Sequence, residues 1–400
     1  MSASCDEVLA INAGSSSLKF ALYPRVGQQV DAARLAGHID GLEPGGTPLL
    51  HLSGPQGASQ HRLQSGADRF GIALGALEQV LAEGAPARIG AIAHRIVHGG
   101  AHYADSVLLD DTVLDVLAGL SPLAPLHQPH NLAGVHAFRR HYPGLPQVGC
   151  FDTAFHASLP QVEQMFALPQ ALRDAGVRRY GFHGLSYRYV TEQLRLRVPR
   201  AGARLLIAHL GNGASACAVA AGKSVATTMG FSALDGLMMG TRSGAIDPGV
   251  LLHLMGQGYT HDDLERLLYR ESGLRGVSGV SADMRALHAS DAPGAALAID
   301  MFVHRLVREC GALTACLGGV DVIAFTGGIG EHDVALRQRA CAALAYLGVR
   351  LDPAANEQAR GSEMAAIHGA DSAVEVWVVP TDEGRVAAAD AVRLLSQGFL

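Results

Sequence analysis

No run of apolar residues approaches the roughly 20 that a membrane-spanning helix needs. No targeting signal is expected either: residues 1–7 are polar, and the apolar stretch 8–13 is short, ends at Gly14 and lacks a cleavage site. A cytoplasmic protein without membrane partners is expected. A basic excess is also absent. The formal net charge of −6 argues against a general nucleic-acid binder, so the cations for any anionic ligand must be gathered locally. Cysteine is sparse and scattered (Cys5, Cys150, Cys217, Cys310, Cys316, Cys341), with no CxxC pair, and reads as buried free thiols. Charged residues make up only 17% and aromatics 5%. With Ala and Gly abundant, that balance suits an α/β protein of close-packed helices and Gly-rich turns, not a disordered or fibrous chain. There is no P-loop string GxxxxGK[ST], no low-complexity tract and no repeat with a period of roughly 20–50 residues.

What remains is a chain of 400 residues, long enough for two domains that each bury a core. Strand candidates precede Gly-rich turns at 7–12, 89–93, 147–151, 204–210, 321–326 and 375–379. Helical periodicity lies between them, at 70–83, 132–141, 295–317 and 334–347. The stretch 41–64, rich in Gly, Pro, Ser and His, reads as strands and loops. This alternation points to α/β sheets with ligand loops at the strand ends. Segments 9–23 and 206–219 share a plan: apolar strand, small polar turn with Asn and Gly, second apolar strand.

The first of these turns lies in Ile11-Asn12-Ala13-Gly14-Ser15-Ser16-Ser17-Leu18-Lys19-Phe20. Gly and Ser permit a tight turn whose backbone N–H groups approach phosphate oxygens. Lys19 adds a point charge, and the Asn12 amide oxygen can hold a magnesium-bound water. An ordinary Ser-rich hairpin accounts for the same residues. The second turn, His209-Leu210-Gly211-Asn212-Gly213-Ala214-Ser215, sets two glycines around an Asn: backbone near an anion, or a common turn. A third, Thr326-Gly327-Gly328-Ile329-Gly330-Glu331, follows an apolar strand and precedes a helix. That placement suits a nucleotide at a helix N-terminus, although helix–strand packing explains the glycines equally well. In Ala93-His94-Arg95-Ile96-Val97-His98-Gly99-Gly100 an Arg ends an apolar strand, offering a planar fork for a carboxylate. His94 and His98, without an intervening Glu or a helical context, read as structural. Asp152 closes another apolar strand in Gly149-Cys150-Phe151-Asp152, and His183 sits between glycines in Arg178-Arg179-Tyr180-Gly181-Phe182-His183-Gly184. A capping Asp and a packed His are the plainer readings. Arg242, between glycines in Gly240-Thr241-Arg242-Ser243-Gly244, has no obvious packing duty and reads as an anion contact.

One chemistry would need this whole set. A carboxylate attacking a polyphosphate brings like charges together, at roughly 4 kcal/mol for a separation of about 4 Å and an effective dielectric near 20. The acid is already ionised at neutral pH, so no general base is required. Positioning and cationic cover of the transferring phosphoryl group are required. Arg95, Arg242, His183, Lys19 and a magnesium ion would meet that need.

Together these segments resemble the acetate kinase family. The strings INAGSSSLKF, HRIVHGG, PLAPLH, FDTAFH, RRYGFHG, HLGNGAS, GLMMGTRSG and FTGGIGE occur in the family's order along nearly the whole chain. The resemblance implies an α/β fold of two RNase H-like domains of the actin/sugar kinase superfamily, with an interdomain active-site cleft. Residues 1–150 with 385–400 would form the domain of acyl and phosphate contacts, and 151–384 the nucleotide domain. The two similar strand–turn–strand units would let one ATP be gripped from both sides. The implied reaction is reversible phosphoryl transfer from Mg-ATP to acetate, giving acetyl phosphate and ADP, in a homodimer that uses magnesium, or manganese in its place. Asn12 and Glu383 look like the metal site, Lys19 like an ATP contact and Arg95 like the acyl carboxylate's partner. Asp152, aligning metal or substrate, and the transition-state stabilisers His183 and Arg242 look like the catalytic residues. Val97, Leu126 and Phe182 look like the wall around the methyl group. His209, Leu210, Gly211, Asn212, Gly213, Asp283, Met284, Arg285, Gly327, Gly328, Ile329, Gly330 and Glu331 look like the nucleotide loops.

The chain also departs from the family's pattern. Where GFxPLEG is usual, Ala233 in Gly230-Phe231-Ser232-Ala233-Leu234-Asp235-Gly236 replaces a proline, so a roomier acyl pocket is expected. One methylene there is worth only about 1–3 kcal/mol, and a propionate or butyrate kinase is the near alternative. Leu185, Tyr187, Gln128, Ala226, Ala245, His332 and Gly384 are smaller differences. An actin- or chaperone-like ATPase is the distant alternative. It would need the ATP loops but not Arg95 in an apolar acceptor pocket.

Overall fold

The computed structural model describes residues 7–397 apart from Ser15, Pro44, Gln56, Ser65, Ala67, 84–87 and Ala203. The chain forms two compact units: unit 1 is Met1–Ala154 with Asp382–Leu400, and unit 2 is Phe155–Thr381.

Unit 1 is built on one sheet of β1 (Glu7–Ala13), β2 (Leu18–Val26), β3 (Gln29–Val30), β4 (Leu35–Asp40), β5 (Leu49–Gly54), β6 (Gly57–Arg62), β7 (Ile89–Ile96), β8 (Val107–Leu108) and β9 (Gln147–Phe151). The order is β6-β5-β4-β2-β1-β7-β9-β8, with β3 on β2. β1, β7 and β9 run parallel. They are apolar along nearly their whole length because both faces are covered. One face carries the helices Arg69–Glu83 and Gln128–His141, whose Leu74, Leu77 and Phe138 pack with Leu9, Ile11, Leu18 and Phe20. The helix Glu383–Ser396 packs on β1, β7 and β9. Its N-cap Asp382 accepts from Arg385 N at 3.0 Å and from Tyr23 Oη at 2.5 Å. The helix read as 132–141 begins four residues earlier, because Pro129 is tolerated in a first turn, where its missing N–H has no intrahelical partner to lose.

Unit 2 repeats the plan with β10 (Arg204–Leu210), β11 (Ala214–Ala220), β12 (Lys223–Thr227), β13 (Val322–Thr326), β14 (Ala365–Ala366) and β15 (Glu375–Val378), ordered β12-β11-β10-β13-β15-β14. In each unit the first strand pairs antiparallel with the second and parallel with a later one, so β4-β2-β1-β7-β9 corresponds to β12-β11-β10-β13-β15. This is the expected RNase H-like order. Tyr187, Val190 and Leu194 of the helix Gly184–Arg197 pack with Leu205, Ile207, Cys217 and Val219. The expected helix over 334–347 stops at Ala343 and tightens into a 3₁₀ turn, Ala345–Leu347, before Gly348 at φ 90°.

Cys150, Cys217, Cys310 and Cys341 are buried free thiols, but Cys316 is exposed, which corrects the expectation for that residue. Cys5 lies outside the described residues. Burial pushes the Cys217, Cys310 and Cys341 thiols up to about 12.

Arg337 is fully buried. It donates to Asn356 Oδ1 at 2.8 Å, Gly330 O at 2.9 Å, Glu331 O at 2.8 Å, Asn356 O at 3.0 Å and Ala359 O at 2.8 Å. Arg337→Met strands these carbonyls. It is expected to destabilise the protein by about 3 kcal/mol or more in urea unfolding.

Burial also holds His94, His98 and His156 neutral, each with a pKa lowered to about 4. The unfolded chain protonates such groups near pH ~6.5, so stability present above that pH is lost as pH falls toward the folded value. Each histidine contributes up to about 1.4 kcal/mol per pH unit in that window. The urea midpoint should therefore fall between pH 7 and pH 4.5, and His94→Gln should shallow the dependence. An unchanged slope would remove His94 from the account.

Candidate functional site

Because β1, β7 and β9 are neighbouring and parallel, their C-terminal ends meet at one edge of the unit 1 sheet, the usual place for ligands in such sheets. Asn12 is the last residue but one of β1, Arg95 the last but one of β7, and Asp152 follows β9. Arg95 Nε donates to Asp152 Oδ1 at 3.0 Å, and Nη2 makes a closer contact with Oδ2. Nη1 donates to Asn12 Oδ1 at 3.3 Å, and Glu383 Oε2, on the first residue of the C-terminal helix, lies 3.4 Å from Nε. Burial opposes the charge on Arg95, but Asp152 and Glu383 outweigh it and raise the pKa. The guanidinium is thus permanently charged. Asp152, only 1% exposed, occupies the Nε/Nη2 edge of the fork, so the Nη1/Nη2 end is the one left to meet another anion. Asn12, Asp152 and Glu383 present hard oxygen donors around this point, a set that fits magnesium or manganese.

The loop after β7 is held from the helix Gln128–His141. Asn131 accepts from Val97 N at 2.9 Å and donates to Ala13 O at 2.6 Å. Gln128 accepts from His98 N at 3.2 Å and donates to His98 O at 3.0 Å. Val97 is buried and Leu126 half-buried. Neither Asn131 nor Gln128 stood out as functional in the sequence, since no local spacing signals such long-range contacts. Gly384 has a local reason: a Cβ there would lie 2.5 Å from Tyr23 Oη. Lys19 is exposed on β2 opposite Asn12, and directly opposed residues share a face.

In unit 2 the turn after β10 is closed by Gly211 N to Gly213 O at 3.0 Å. His183 stands at φ 59°, a conformation costly for a residue with a Cβ. Its Nδ1 is 2.7 Å from Ser215 Oγ, which Tyr187 Oη also contacts, and its ring stacks on His209 at 4.3 Å. His209 Nδ1 pairs with Ser186 Oγ at 2.8 Å. A Cβ on Gly213 would stand 3.4 Å from His183 Nε2 and 3.7 Å from Arg242 Nη1, so both groups share the space over that glycine. Arg242 Nη1 donates to Ala233 O at 2.9 Å. Phe182 is buried, and its carbonyl contacts His156 Nε2 at 2.9 Å.

A cavity of about 1070 Å³ opens beside this turn, lined by Gly211, Asn212, Asp283, Met284, Arg285, Gly328 and Ile329. That volume is ample for a nucleotide-sized ligand. His288, His332, Gln338 and Arg360, which carried no sequence signal for a site, line it too. Asp283 caps the helix Met284–His288 and grips Arg285, whose guanidinium depresses the Asp283 carboxyl. His209, Leu210, Gly213, Gly327, Gly330 and Glu331 are not among the lining residues. Gly327 meets the packing explanation: at φ +74°, its Cβ would stand 2.7 Å from Leu210 O. Glu331 is a brace, accepting from Gly327 N at 2.8 Å and Thr381 N at 3.1 Å.

Residues 7–389 match the model of the acetokinase family. The chain is 47% identical over 402 residues to a protein named acetate kinase from Rhodopseudomonas palustris, covering 98% of this chain and 99% of that one. It is 44% identical over 401 residues to one of the same name from Nitrobacter hamburgensis, covering 98% and 96%. Among solved structures it is similar to Porphyromonas gingivalis acetate kinase, with TM-score 0.87, 37% identity, and 98% and 100% covered. It is also similar to a propionate kinase from Francisella tularensis, with TM-score 0.88, 34% identity, and 96% and 98% covered.

A Cβ on Gly240 would lie 2.0 Å from Asn212 Oδ1 and displace that cavity-lining side chain. Gly240→Ala is expected to weaken ADP binding about tenfold by calorimetry, the worth of one good polar contact. Unchanged affinity would take Asn212 out of the site.

Proposed function

The chain belongs to the acetokinase family, and from that premise we propose that it is an acetate kinase, transferring the γ-phosphoryl group of Mg-ATP to acetate and back. The observation that carries this reading is the outward end of the Arg95 fork, charged at any working pH and backed by a buried carboxylate. It is a receptor for a small carboxylate, and Val97 and Leu126 are proposed as the wall for a methyl group. Asp152 orients the fork and is not a base, since acetate arrives ionised. Asn12 and Glu383 would supply oxygen ligands for magnesium, which when bound would neutralise phosphate charge.

Unit 2 takes the nucleotide in its cavity, with Asp283 to Arg285, Gly211, Asn212, Gly328 and Ile329 as its contacts. His183 and Arg242 cover the charge that develops on the transferring phosphoryl group, and Lys19 is proposed as an ATP contact. The enzyme works in the cytoplasm as a homodimer. The helix Pro248–Gly256, with Leu252 70% and Met255 57% exposed, supplies apolar surface suited to a second copy.

Three measurements test this reading. With ATP, magnesium and hydroxylamine, acetate should yield an acyl hydroxamate; no product from any short acid would sink the kinase reading. Arg95→Ala should raise KM for acetate roughly 10- to 100-fold, the scale of a lost charge-assisted pair, and KM for ATP far less. Equal effects on both would contradict the carboxylate role. Arg242→Ala should lower kcat by about 10³-fold with little change in either KM, whereas an unaltered kcat would remove it from the mechanism. Propionate is the second acid to compare, because Ala233 stands where a proline is usual and its carbonyl holds Arg242.

A further inference from the structure

Unit 1 gathers a second group of ligand-type side chains on the antiparallel part of its sheet, two strands from Asn12. His38 and Asp40 are two residues apart on β4, so both side chains leave the same face. His51 on β5 stands directly opposite His38. The two imidazoles stack with centroids 4.2 Å apart and planes 5° from parallel. Each turns Nε2 toward one carboxylate oxygen: Asp40 Oδ2 is 3.1 Å from His38 and 3.6 Å from His51. One donor atom from each of the three residues lies within 4.8 Å of the others.

We infer that His38, Asp40 and His51 form a binding site for a divalent cation of the zinc class. Zinc holds imidazole nitrogen and carboxylate oxygen at about 2.0–2.2 Å, which sets two ligand atoms roughly 3.4 Å apart at tetrahedral corners. The two Asp40 separations bracket that value. The His38 and His51 donor atoms lie within 4.8 Å of each other, and χ2 of histidine is a broad torsion that lets them adjust to one ion. All three side chains reach solvent, so water can fill the remaining position, as in open three-ligand sites.

The ligand class separates this site from the oxygen donors of Asn12, Asp152 and Glu383. Imidazole suits zinc, nickel and copper, whereas carboxylate and amide oxygen suit magnesium. The framework is rigid enough to hold the set, since β4 is paired on both sides, with β2 and with β5.

Equilibrium dialysis of the full-length protein against Zn²⁺, with Mg²⁺ in excess, tests the site without reference to turnover. Wild type should retain one more Zn²⁺ equivalent than the His38→Gln/His51→Gln double variant. Each single variant should weaken that uptake by at least about tenfold, the scale on which loss of one supporting group already weakens metal sites. Co²⁺ in place of Zn²⁺ should give a visible absorption band that the double variant lacks. Equal Zn²⁺ uptake by wild type and double variant overturns the inference, because histidines elsewhere then hold the metal. If the double variant folds poorly by circular dichroism, His38→Gln, at a side chain 41% exposed, decides by the same comparison.

Discussion

A guanidinium held against a carboxylate that water cannot reach sets the terms for unit 1. Asp152 alone would be a costly buried charge, and Arg95 alone would be free to swing; together they fix each other at the ends of two adjacent parallel strands. With Glu383 included, the three charged groups sum to one net negative, and the nearby amide of Asn12 adds an oxygen. The arrangement therefore invites a metal cation as well as an anion at the outer end of the fork.

Unit 2 solves a different problem with the same sheet plan. Its strand ends lead into glycine turns that leave backbone open at the cavity, while the charged groups come from outside the sheet. Arg242 is delivered by a loop and His183 by the strained residue that opens a helix. The strain at His183 is supported by Ser215 and by the stack on His209, so its ring is held before any ligand arrives.

Much of this was legible before any coordinates. Strand positions followed from apolar runs ending in Gly-rich turns, and Asn12, Arg95 and Asp152 could be placed at strand ends because each closes such a run. Two things were not legible. One was that Asp152 spends its carboxylate on Arg95, since residues 57 apart in sequence carry no mutual spacing signal. The other was the division of labour within the glycine turns. Gly328 lines the cavity while Gly327 packs against Leu210, a distinction set by φ and by a neighbouring carbonyl, not by residue type. Glu331 likewise looks like a ligand contact in the string but serves as a brace in space.

The helix Glu383–Ser396 belongs to unit 1 although all of unit 2 precedes it in the chain. Biosynthesis therefore leaves one face of the β1–β7–β9 sheet bare while residues 155–381 are made. At about 5–20 residues per second that interval is on the order of 10–45 s. Until it ends, Asp152 and Arg95 have formed their pair without Glu383, and the apolar face awaiting the helix is open to water. A ribosome stalled inside unit 2 thus holds a half-covered sheet, a natural client for a chaperone, and a chain cut short before Glu383 loses both that cover and an acidic group of the site.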